Sequence, residues 1–144
     1  MAKAKNELTL DFLSLCDYAV ISRENKLSIL GIFDQIFVNS LPSQHPKMFL
    51  VGILKGEPAS THNLQLLLKD PLDKDVLPNQ ELKVKLGTNG NSNFIAELNN
   101  LPIKLTGAYK IELFVDKKLL AKKEFNVFRT TGAPAKEGGE KLTN

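Results

Sequence analysis

Over residues 107–127, GAYKIELFVDKKLLAKKEFNV, apolar and polar side chains alternate with a two-residue beat. Successive side chains of an extended strand face opposite ways. Tyr109, Ile111, Leu113 and Val115 therefore share one apolar face, while Lys110, Glu112 and Asp116 share the other. After an Asp-Lys-Lys turn the beat resumes, with Leu119, Ala121, Phe125 and Val127 on one parity and Lys122, Glu124 and Asn126 on the other. The pattern predicts a β-hairpin, and charge selects its register. A three-residue loop at 116–118 sets Val115 opposite Leu119 and makes the outer pairs Glu112–Lys122 and Lys110–Glu124, both attractive. A slide of two residues sets Glu112 against Glu124, and a slip of one turns Phe125 and Val127 outward. Each exposed pair contributes roughly 0.2–1 kcal/mol, so burial of the inner row is the stronger constraint. Lys123 falls on the inner parity, where its aliphatic stem can cover a sheet edge while the ammonium reaches water.

The same reading predicts strands along the rest of the chain. Residues 11–21 form a first strand, ended by a polar turn at 22–25, and residues 26–38 a second. Gly31 marks a bulge in that second strand, because Leu27 and Ile29 are odd-numbered whereas Ile32, Ile36 and Val38 are even. A proline-bounded loop at 41–46 leads to residues 47–55, whose unbroken apolar centre predicts a strand covered on both faces. A loop at 56–61 precedes alternation at Leu64, Leu66 and Leu68, and Asp70-Pro71 opens a turn through Asp75. Leu82, Val84 and Leu86 alternate next, then Phe94, Ala96 and Leu98. Asn89-Gly90 between them is the strongest short turn signal, but a two-residue turn there would set Leu86 opposite Asn93, so a longer loop is expected.

About eight closely spaced strands predict an all-β fold, a sandwich of two antiparallel sheets. Residues 101–109, from Leu101-Pro102 to Gly107-Ala108-Tyr109, resemble the connection into a late strand of immunoglobulin-like and fibronectin-like sandwiches, where a tyrosine hydroxyl hooks back to the preceding backbone. With no Trp and a single Cys, an antibody-type core is excluded. Residues 10–128 are the expected sandwich domain, residues 1–9 a flexible segment, and 129–144, with Gly132, Pro134, Gly138 and Gly139, a disordered tail.

The chain has 144 residues, 42% of them hydrophobic, enough for one domain without metal or disulfide staples. The lone Cys16 and the polar N-terminal residues predict a reducing, cytoplasmic setting. The longest apolar run, residues 48–54, is too short to span a bilayer, which needs about 20 residues, so no membrane is expected. The net charge of +3 is spread over interspersed signs, which disfavours nucleic acid as a partner.

Candidate chemistry is sparse. Cys16 shares the parity of Phe12, Tyr18 and Val20 and reads as a core thiol. His45 and His62 lack the spacing of a zinc motif, and the acidic run Asp70, Asp73 and Asp75 lacks the glycine and terminal glutamate of a calcium loop. Asp34, within GIFDQIF, interrupts apolar residues and is expected to face solvent at a bulge. No nucleophile elbow, phosphate loop or paired-carboxylate motif is present, so neither catalysis nor a cofactor is expected. The binding signal is apolar residues on the outer parity of the hairpin: Phe114 paired with Leu120, and Phe128 near the other end. Their cover is expected from elsewhere in the chain, from a second copy or from another protein. The preferred reading is a non-catalytic interaction module using a sheet face or the loops 41–46 and 56–61. The alternatives are a hydrolase-type enzyme gathering Cys16, Asp34 or His45, and a structural subunit of a larger bacterial or phage-derived assembly.

The segments LCDYA at 15–19, NKLSILGIFDQIF at 25–37 and HPKMFLVGILKGE at 45–57 resemble a family of small bacterial proteins known as a domain of unknown function. The later GAYKIELFVD fits the same outline. The resemblance implies a bacterial cytoplasmic protein with a compact β-sandwich, and it brings no catalytic residue or ligand. The departure is at Asp116-Lys117-Lys118, where a glycine is expected.

Overall fold

In the computed structural model, which describes residues 7–130, nine strands build two sheets. The first sheet has the order β2-β1-β4-β7, from β2 (Leu27–Phe33), β1 (Thr9–Ile21), β4 (Ser43–Lys55) and β7 (Asn91–Ile103). The second has the order β3-β9-β8-β5-β6, from β3 (Gln35–Val38), β9 (Lys118–Arg129), β8 (Gly107–Val115), β5 (Thr61–Lys69) and β6 (Gln80–Lys85). The fold is an immunoglobulin-like sandwich. Every ladder is antiparallel except β3 with β9, which is parallel.

Alternation fills the space between the sheets. Leu64, Leu66 and Leu68 of β5 stand opposite Val115, Leu113 and Ile111 of β8, and Leu15 of β1 faces Leu50 of β4. These side chains belong to one core with Met48, Phe94, Leu98, Leu101, Tyr109 and Phe125. β4 lies between β1 and β7 and is buried from Met48 through Gly52, as its unbroken apolar run predicts. The tyrosine connection is present: the Tyr109 hydroxyl donates to the Leu105 carbonyl at 2.8 Å, and the Tyr109 ring stacks on Phe125 with centroids 5.3 Å apart. The bond ties the loop before β8 to the strand itself.

Four expectations need correction. First, residues 26–38 are two strands rather than one: the chain leaves the first sheet after Phe33 and enters the second at Gln35. Asp34 makes that crossing, exposed as expected, with its carbonyl accepting from Asn126 N at 2.9 Å. Gly31 inserts no extra residue, since Cys16↔Ile32 and Tyr18↔Leu30 keep one register, but the change of parity expected there is present: Gly31 takes φ 70° against Asp17, and Leu27 and Ile29 pack outside the main core whereas Phe33 packs against it.

Second, the proline-bounded loop is shorter than expected. β4 begins at Ser43, pairing Ser43 with Ile103 and His45 with Leu101, and the ladder skips only Pro46, which has no N–H to give. Third, β6 and β7 lie in different sheets, so Asn89-Gly90 closes an inter-sheet loop and not a hairpin; Gly90 takes φ 81° and donates to the Gly87 carbonyl at 2.9 Å.

Fourth, the β8–β9 turn has two residues. Asp116 and Lys117 both take positive φ, 47° and 72°, the form that suits the twist of a hairpin. Glu112–Lys122 and Lys110–Glu124 pair as charge requires, but a bulge then sets Phe114 opposite Leu119 and Val115 opposite Lys118. Leu120, the extra residue, packs against the core. At the C-terminal side β9 includes Arg129, and Thr130 donates to Val38 O, so the ordered chain passes residue 128. The N-terminal segment 1–6 and the tail from 131 lie outside the described residues.

Candidate functional site

The expected outward patch does not assemble. Phe114 and Phe128 sit at opposite ends of the β8–β9 ladder, about 26 Å apart at the rise of a strand. Leu120 turns to the core, and Phe128 instead stacks on Phe37 of β3, with centroids 5.5 Å apart.

The enzyme alternative fares no better in geometry. Cys16 is buried against Phe49 of β4, and burial pushes its thiol above the ordinary range, the neighbouring Asp17 adding to the rise. His45 is half-buried beside the Phe33 ring. Burial holds its imidazole below the ordinary value, a shift opposed by the Asp17 charge and a backbone hydrogen bond at Lys47. Asp34 is at the sheet crossing. Two open clefts of about 410 and 340 Å3 are lined by other residues, the larger by Asp70, Lys74, Lys104 and Tyr109 among others. The acidic run is committed to its turn: Asp70 Oδ1 accepts from Leu72 N at 2.8 Å and Lys74 N at 3.0 Å, and Asp75 pairs with Lys69 at 3.0 Å.

A Ser60–His62–Asp116 row has the residue types of a nucleophilic triad, with Ser60 Oγ 2.8 Å from His62 Nε2. The Ser60 hydroxyl, however, gives its proton to the Glu57 carbonyl at 2.7 Å, leaving Nε2 as the donor. A base would need the reverse. Asp116 Oδ2 is 3.9 Å from Nδ1, beyond hydrogen-bond reach. The row closes the loop before β5.

What stands out is the β1–β2 hairpin. The β1–β4 ladder ends at Cys16↔Phe49, whereas β1 and β2 remain paired to Ile21↔Leu27. The free end is stiffened by a polar tip: Ser22 Oγ accepts from Glu24 N and Lys26 N, and Ser22 N donates to Lys26 O at 2.8 Å. One side of this hairpin is anchored. Ala19, Leu27 and Ile29 pack with Cys16, Phe49, Val51 and Ile95 in a second apolar cluster outside the main core. The other side is open. Leu30 and Val20 lie on it, exposed by 64 and 44%; Tyr18 faces Leu30 across the ladder and is 51% exposed, its ring meeting Phe49 of the packed cluster edge-on with centroids 5.9 Å apart. Ile32, nearer the foot of β2, is 62% exposed.

Scattered apolar residues on a surface need no explanation, but a contiguous row on one hairpin does. This hairpin is apolar on both faces, the pattern of a strand covered on both sides. The sequence carried that signal in LSILGIF, where Leu27 and Ile29 occupy one parity and Leu30 and Ile32 the other.

Comparison with known proteins supports the fold. Residues 11–128 match the model of a family of unknown function, DUF6941. None of the curated proteins matches the chain. The alkylpurine DNA glycosylase AlkC of Pseudomonas fluorescens, bound to DNA containing an abasic site analogue, is similar with a TM-score of 0.54 and 11% identity, over 85% of this chain and 31% of that one. A β-glucosidase of Listeria innocua is similar with a TM-score of 0.51 and 11% identity, over 89% of this chain and 17% of that one. An immunoglobulin-like protein of Pseudomonas aeruginosa aligns at 0.47 with 18% identity, over 87% of this chain and 99% of its own. The chain spans less than a third of the glycosylase and of the glucosidase, and at such identities the likeness is one of fold alone.

Proposed function

The chain belongs to this family of unknown function, DUF6941, and from that premise we propose that it is a non-catalytic interaction module whose docking surface is the open face of the β1–β2 hairpin. The observation that carries the reading is the exposed row of Tyr18, Val20 and Leu30 on a hairpin whose opposite side is already packed. Covering such a face removes apolar surface from water at about 25 cal/mol per Å2. A rigid sandwich holds the row in one shape, so little ordering entropy is lost on contact. The Ser60–His62–Asp116 row, with its hydroxyl proton committed to a carbonyl, gives the enzyme alternative no support.

The test replaces Leu30 and Ile32 together by lysine. Far-UV circular dichroism is expected to be unchanged, because both side chains are exposed. Light scattering detects a second copy, and cross-linking with mass spectrometry in the native host detects another protein. Contacts through the hairpin are expected for the wild type and are lost in the variant. A monomer with no cross-link to the hairpin, or cross-links that persist in the folded variant, would overturn the reading.

A further inference from the structure

We propose that His45 is a proton-operated latch beneath the β1–β2 hairpin, which holds the docking face in place while its imidazole is neutral and releases the hairpin when the imidazole is protonated. This latch rests on the docking surface above and adds the regulation of that surface. Backbone pairing stops short of the hairpin. The β1–β4 ladder ends at Cys16↔Phe49, so beyond that level β4 is bonded to β7 alone among the described residues, with His45 opposite Leu101. Leu101 belongs to the main core, so His45 points to the main-core side of the sheet, the side on which the hairpin is open. Side chains make the connection instead. The Phe33 ring, at the foot of β2, meets the imidazole with centroids 6.1 Å apart and planes tilted by 53°. Asp17 of β1 lies against Gly31, where φ 70° changes the faces of the hairpin, and its charge reaches the imidazole.

The latch works through an atom that has no place for a proton. His45 Nε2 is buried without a hydrogen-bond partner, the other polar contact of the ring being the backbone at Lys47. A proton there makes a buried, charged donor with no acceptor, which is costly until water reaches it. The groups around the ring do not remove that cost. Asp17 of β1 favours the imidazolium, β2 presents Phe33 followed by the exposed Asp34, β7 presents Leu101, and on β4 itself Lys47 is paired with Glu97 at 3.2 Å. Burial outweighs the Asp17 charge and holds the imidazole below its ordinary value. Admitting water to Nε2 requires a segment to give, and that segment is the hairpin. The crossing next to Phe33 is fixed, since Asp34 O accepts from Asn126 N at 2.9 Å, whereas beyond Cys16 the hairpin has backbone bonds only within itself. In the released hairpin the imidazole is hydrated and titrates at its ordinary value. The closed form is therefore complete above that value and is lost as pH falls through the lower value of the closed form.

Hydrogen exchange on the full chain, read as protection factors, tests the latch. From pH 7 to pH 5 the protected amides of residues 19–21 and 27–30 are expected to lose at least about threefold in protection, with a ceiling of about thirtyfold set by the ordinary imidazole value of 6.5, while the amides of the β5–β8 ladder change by less. His45→Phe keeps a ring against Phe33 but takes no proton, and its hairpin protection is expected to be the same at both pH values. His45→Gln serves as the second non-titrating variant if the larger ring disturbs folding. Asp17→Asn removes the charge that favours the imidazolium, so its loss on acidification is expected to exceed that of the wild type. Equal protection of the wild-type hairpin at pH 7 and pH 5, an equal loss in the non-titrating variants, or a smaller loss in Asp17→Asn would each overturn the proposal. Docking is read separately, with a photo-activated cross-linking group at the exposed Ser28, whose chemistry does not follow pH. Contacts made at pH 7 are expected to be lost at pH 5 in the wild type and kept in His45→Phe. Contacts that persist at pH 5 in the wild type while protection falls overturn the regulation and leave the docking surface standing. No contact at either pH, with exchange as expected, ends the docking reading while the latch stands.

Discussion

Gly52 shows how tightly a single side chain is specified in this fold. It stands opposite Phe94 across the β4–β7 ladder, and a Cβ at that position would fall within the Phe94 ring. Both are buried, so the ring cannot swing into solvent. Gly52→Ala is expected to destabilise the fold by about 1–3 kcal/mol through overpacking, read as a lower urea midpoint at unchanged slope. His45 is a second case. Burial disfavours its imidazolium, and its Nε2 is buried without a hydrogen-bond partner. The native imidazole therefore titrates below the unfolded one. The stability tied to its neutral form is complete above the unfolded value and is lost as pH falls through the lower native one. Unfolding followed from about pH 7 to pH 5 should show the wild type losing stability faster than His45→Gln.

At the scale of elements, the alternation rule placed strands and outer charge pairs correctly where local pattern and tertiary environment agree. Glu112–Lys122 and Lys110–Glu124 were legible because one register satisfies both charge and burial. The bulge beyond them was not, because Leu119 and Leu120 are adjacent and both apolar, and either can be the inner residue until the turn type is known. The turn itself makes a prediction. Lys117 has φ 72°, a conformation that costs a side-chain-bearing residue about 1–2 kcal/mol. Lys117→Gly relieves that strain and gives back roughly 0.5–1 kcal/mol as backbone entropy, for an expected net gain of about 0.5–1 kcal/mol in thermal unfolding. The crossing at Asp34 was equally hidden. A change of sheet leaves no mark on periodicity when Ile32, Ile36 and Val38 keep one parity throughout. Asn89-Gly90 forms the tight turn its residues favour, yet a turn does not record which sheet each flanking strand joins.

For the whole molecule, the sandwich was readable and its open surface was not, since exposure belongs to the assembled layers. Phe114 and Phe128 share a parity but lie at opposite ends of one ladder, whereas Tyr18 and Leu30 become neighbours only through β1–β2 pairing. If the exposed row of Tyr18, Val20 and Leu30 is covered by a second copy, folding and association are linked. The unfolding temperature of the wild type should then rise with protein concentration, and that of Leu30→Lys should not. The single residue between β2 and β3 adds a mechanical consequence. Because Asp34 is the one residue between β2 and β3, there is no slack in that connection to absorb movement, and drawing β2 along β1 by one rung must drag β3 along β9. The two layers are geared to each other at that point, and a force applied to the edge of one is felt in the parallel ladder of the other.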